Sequence, residues 1–101
     1  MDPERISDFN ISDVVISTAG RDSGKLFYVI GTDSVYVILA NGKDRTLDKP
    51  KRKKRKHIQK VLRSETRVAE KLRLGDKVLN SELRRDLAYI SQNMQSNNLG
   101  G

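Results

Sequence analysis

The chain contains no cysteine, no tryptophan, one histidine, two prolines and only five aromatic residues in 101. Without cysteine there is no disulfide to staple a small fold, no thiol nucleophile and no zinc site built on thiolate ligands. The lack also fits a reducing compartment. A lone histidine, His57, sits among cations with no nucleophile or carboxylate pair arranged around it, so no set of side chains takes complementary catalytic roles. The composition therefore predicts a protein that is not an enzyme and needs no cofactor or metal. No apolar run approaches the roughly 20 residues that cross a bilayer, and the opening "MDPERISDFNISD" is acidic rather than the basic start of an export signal. These features predict a soluble, cytoplasmic chain without a membrane partner. Its length suits one domain with a small core.

Positive charge is abundant and localised. The formal net charge is +7. Residues 1–42 carry three basic and six acidic side chains, residues 61–101 seven and five, and residues 43–60 ten basic residues against Asp44 and Asp48. The ten are Lys43, Arg45, Lys49, Lys51, Arg52, Lys53, Lys54, Arg55, Lys56 and Lys60, six of them consecutive over 51–56. Such a run repels itself unless a polyanion or acidic surface lies nearby. A solvated run that aids solubility and a nuclear-localisation address are the alternatives. A lipid surface fits less well, because no aromatic or leucine face interleaves the cations.

Short apolar runs punctuated by turn residues predict strands over 13–17, 25–30 and 35–39, a short fourth strand over 44–47, and a fifth over 56–61. Asn41 and Gly42 read as a tight hairpin with positive φ at both residues. The basic residues 49–56 read as an arm between the last two strands. Strands this short and close suggest a small barrel, which hides its edges. Residues 1–12 read as a polar lead-in from which Ile6, Phe9 and Ile11 could dock. The last third turns helical. Ser64 is a candidate cap, Val68 and Leu72 lie one turn apart, and Gly75 is a stop. A stronger helix follows Asn80 or Ser81, with Leu83, Leu87, Ile90 and Met94 on one face and a frayed end at "QSNNLGG".

The stretch "TAGRDSGKLFYVI" holds Gly20 and Gly24 with Lys25 after them. It is not a nucleotide-binding P-loop: the spacing is one residue short, Leu26 stands where Ser or Thr is needed, and a strand follows rather than a helix. Glycines in a loop between strands supply backbone conformations closed to other residues. They also let a backbone approach a phosphate, and here Arg21 and Lys25 flank them.

"VVISTAGRDSGKLFYVI" resembles a KOW motif, with alternating apolar residues, a loop glycine, a polar pair, Gly-Lys and a second apolar strand. The continuation "VYVILANGKDRTLDKPKRKKRKHIQKV" resembles the small bacterial KOW-domain RNA-binding proteins, which are similar to the amino-terminal domain of the fourteen-e type of large-subunit ribosomal protein. The resemblance covers residues 13–62. It implies an SH3-like five-stranded barrel and RNA, commonly ribosomal RNA, as the partner, at or near the ribosome in the cytoplasm. Gly20 matches the family's loop glycine, Arg21 and Asp22 its polar pair, Gly24 and Lys25 its second glycine and basic residue. The acidic lead-in and the helical segments lie outside it.

Physical chemistry points the same way, since cations that displace counterions from phosphates gain affinity without reading bases. Phe27, Tyr28 and Tyr36 lie on strands and read as core rather than as stacking platforms, which favours structured RNA gripped by its backbone. The expected site is thus the loop over 18–25 with the basic segment. A protein-interaction module, docking through the barrel or the Leu83, Leu87, Ile90 stripe onto ribosomal or other proteins, is the second expectation.

Overall fold

A computed structural model describes the backbone of residues 8–100 and the side chains of residues 8–94; Ile6 of the lead-in lies outside them. Five strands form one antiparallel sheet: β1 (Asp13–Ser17), β2 (Leu26–Thr32), β3 (Tyr36–Ala40), β4 (Lys51–Lys54) and β5 (Ile58–Arg63), in the order β4-β3-β2-β1-β5. A single 3-10 turn, Arg55–His57, joins β4 to β5. Two helices follow, α1 (Arg67–Leu74) and α2 (Asn80–Gly100). Among the described residues no ladder joins β4 to β5, so the sheet is not closed.

The sheet nevertheless curls. In a flat sheet β4 would lie about 14 Å from β1, three strand spacings away. Instead Lys53 of β4 reaches Ala19, just beyond the end of β1, with its Nζ 2.6 Å from the Ala19 carbonyl oxygen. Curling encloses one core of Val15, Phe27, Val29, Val37, Leu39 and Ile58, with Phe9 packed against it. The opposite face carries Val14, Tyr28 and Ala40, which pack with Ala69, Leu83, Leu87 and Ile90 of the helices. Both faces are therefore covered, which is why the strands read as nearly unbroken apolar runs. The Leu83, Leu87, Ile90 stripe is spent on the sheet and cannot serve as a docking face for another protein.

Three local expectations are corrected. Residues 44–47 are not a strand; a single bridge pairs Thr46 with Lys49, and the fourth strand is the basic run itself. Asn41 and Gly42 do not make a two-residue hairpin. Only Gly42 has positive φ, at +78°, and the Asn41 side chain accepts from the Lys43 and Arg45 amides, opening a loop over 41–50. The cap of α1 is Thr66, whose Oγ1 accepts from the Ala69 amide at 3.2 Å. Gly75, at φ +76°, ends that helix as expected. At the start of α2, Glu82 accepts from the Leu79 amide, while the Asn80 side chain accepts from Leu47 and ties the 41–50 loop to the helix. The backbone of α2 stays helical through Gly100, where composition predicts a frayed end. No helix among the described residues is long and apolar enough to cross a membrane.

Candidate nucleic-acid interface

The loop over 18–25 is closed on itself. Gly24 donates to Ser17, Ser23 to the Gly20 carbonyl, and Lys25 to the Asp22 carbonyl. Those three amides are spent. Gly20 and Gly24 have φ of +80° and +88°, which explains both glycines by conformation alone. A Cβ on Gly24 would meet nothing within 4 Å. The loop's contribution is thus a rigid corner carrying Arg21, which is exposed.

The basic run is a strand rather than an arm, and strand geometry sorts its side chains. Arg52 and Lys54 point to solvent while Lys53, only 9% exposed, turns inward to the Ala19 carbonyl. Lys53 is therefore a structural cation that buttresses the 18–25 loop. Arg55 is largely structural as well: it donates from Nη2 to the Asp33 carbonyl and lies 3.7 Å from the Asp8 carboxylate.

Carboxylates neutralise several other expected contacts. Lys25 pairs with Asp44 at 2.7 Å, and that ammonium holds the Asp44 carboxyl below its ordinary value. Arg45 lies 4.0 Å from Asp22, which is nearly buried. Lys60 lies 3.2 Å from the buried Asp13 carboxylate. The Lys25–Asp44 and Arg45–Asp22 pairs join the 18–25 loop to the 41–50 loop, Lys60–Asp13 joins β5 to β1, and the Lys53 bond joins the 18–25 loop to β4. The segments expected to act together do meet, though many of their charges are used in holding them together.

What remains is a smaller set. Among the described residues, no carboxylate lies within 4.0 Å of Arg21, Lys43, Lys49, Lys51, Lys54 or Lys56. Five of these are exposed and Lys51 is half-buried. Lys51 and Lys54 lie on the edge strand, whose backbone is fixed by pairing with β3, and the other four lie in turns and loops around it. Of these cations only Lys43 lines a cleft of about 340 Å³, together with Lys25 and Asp44 of the sheet loops and Arg84 of α2.

Two features escape a reading of the sequence. Arg84 donates to the Gly42 carbonyl at 2.6 Å, so α2 helps shape the 41–50 loop. Asp33 organises the turn before β3: its Oδ1 accepts from the Val35 and Tyr36 amides, and these bonds hold its carboxyl below the ordinary value. Its Oδ2 lies 3.7 Å from Arg52, whose guanidinium covers the Tyr36 ring at 4.3 Å. The signal for the first part was present, because an aspartate two or three residues before a strand start often caps that turn.

No protein-family model matches the chain, and no curated protein matches it.

Proposed function

We propose that the chain is a non-enzymatic RNA-binding protein of the KOW type, built on an SH3-like barrel, that grips structured ribosomal RNA through its phosphates. The order β4-β3-β2-β1-β5, the curl of the sheet and the 3-10 turn before the last strand support the SH3-like reading. The observation that carries the function is the row of cations on β4 and nearby loops that, among the described residues, have no carboxylate within 4.0 Å, while Lys25, Arg45 and Lys60 of the same region are paired. A charged edge strand also discourages strand addition by other chains. That role needs one or two lysines; it does not require Arg21, Lys43 and Lys49 beyond the strand.

Each phosphate that loses its cationic contact lowers the slope of log affinity against log salt by about 0.7 to 0.9. Replacing Lys51, Lys54 and Lys56 together by Ser removes three exposed or half-exposed cations and leaves the Lys53 bond intact. Binding to a folded ribosomal RNA fragment should then weaken by about tenfold or more at low salt, and the slope should fall by about 2. Unchanged affinity and slope would remove β4 from the interface.

A further inference from the structure

Resting on the RNA reading, we propose that Arg52 and Tyr36 form a stacking platform for one unpaired nucleobase, so that the interface takes single-stranded or bulged RNA beside its phosphate contacts. Tyr36 begins β3, is half-buried, and carries the Arg52 guanidinium over its ring at 4.3 Å. The Arg52 side chain remains 63% exposed while its guanidinium lies against the Tyr36 ring, which leaves it accessible to a ligand. The guanidinium is planar by delocalisation and accepts nucleobases as stacking partners, and the tyrosine beneath holds it in place.

The platform is preorganised. Asp33 is fixed by two backbone amides, at 2.9 and 2.7 Å, and its second carboxylate oxygen tethers Arg52. Tyr36 itself pairs in register with Lys54, so a cation with no carboxylate within 4.0 Å among the described residues stands beside the stack. A phosphate on Lys54 and a base on Arg52 would be neighbouring parts of one strand. In a paired A-form helix the bases are stacked on one another and closed to such a plane. The platform therefore discriminates between RNA forms that the lysines alone would bind alike.

The test uses the full chain and two probes: a single-stranded RNA carrying a fluorescent adenine analogue, and a blunt duplex of the same length. Arg52→Lys preserves the net charge and removes the plane, at an exposed position where the fold is not at stake. The wild type should quench the analogue on binding the single strand. Arg52→Lys should lose the quench and about tenfold in single-strand affinity, with duplex affinity unchanged. Retained quench and affinity would overturn the platform, and so would an equal loss on both probes, which would make Arg52 a phosphate contact. In either case salt-dependent binding by the wild type leaves the RNA reading standing. A wild type that binds neither probe overturns both.

Discussion

Gly42 and Gly24 share a left-handed backbone for different consequences. A Cβ on Gly42 would lie 2.2 Å from the Asn80 carbonyl oxygen and 3.2 Å from the Arg84 side chain, whereas one on Gly24 enters open space. Gly24→Ala should therefore cost only the strain of its positive φ, about 1 to 2 kcal/mol. Gly42→Ala adds a clash with backbone that cannot turn aside, and should cost about 3 kcal/mol or more while loosening α2 from the 41–50 loop. Urea denaturation of the two variants, read at the midpoint, distinguishes them; equal losses would mean that the helix start yields freely. Asn41-Gly42 announced a turn in the sequence. Its partner was not announced, because the clash comes from a residue 38 positions away. Ser12 shows the converse. It holds φ +79°, with its hydroxyl accepting from Arg73 at 2.7 Å, and nothing in a lone serine signals a left-handed residue.

Elements that bury apolar residues were the legible ones. β1 spans the expected residues, β2 and β3 are displaced by a residue or two, and the buried face of α2 carries the expected leucines and isoleucine. β4 was hidden because consecutive lysines and arginines have poor strand propensity and read as solvated chain. Pairing of Tyr36 with Lys54 through Leu39 with Lys51 overrides that preference. The way the helices attach to the sheet was equally hidden. The Tyr28 hydroxyl donates to Asp86 of α2 and shares a 2.8 Å hydrogen bond with Ser64, while Thr66 reaches the same carboxylate at 2.6 Å. One polar cluster thus ties β2 to both helices. Burial, followed by the hydrogen bond to Asp86, pushes the Tyr28 phenol up to about 12. Below pH 10 the phenol is neutral in folded and unfolded chains alike. Between 10 and 12 the unfolded chain releases its proton first, so stability falls as pH rises, by about 3 kcal/mol in all. Denaturation midpoints at pH 9 and pH 11 should show this loss in the wild type beyond that of Tyr28→Phe. An identical decline in both would place the cause elsewhere.

Across the whole molecule, the sequence located the charge but could not divide it by role. Lys53, Arg55 and Lys60 look no different in the sequence from Lys51, Lys54 and Lys56. Folding assigns the first three to a carbonyl or to carboxylates and leaves the second three without a carboxylate neighbour among the described residues. That division comes from strand alternation and from acidic residues distant in the chain, such as Asp8 and Asp13. The helices cover the outer face of the sheet and leave β4 and the flanking loops open, the basic surface on which the proposed RNA contact rests. Amide chemical-shift mapping during titration with a folded ribosomal RNA fragment tests that assignment most directly. The account predicts salt-sensitive shifts at Arg21, Lys43, Lys49 and along Lys51–Lys54, with α1 and the exposed face of α2 unmoved. Shifts confined to the helices with β4 silent, or no shifts at low salt, would contradict it.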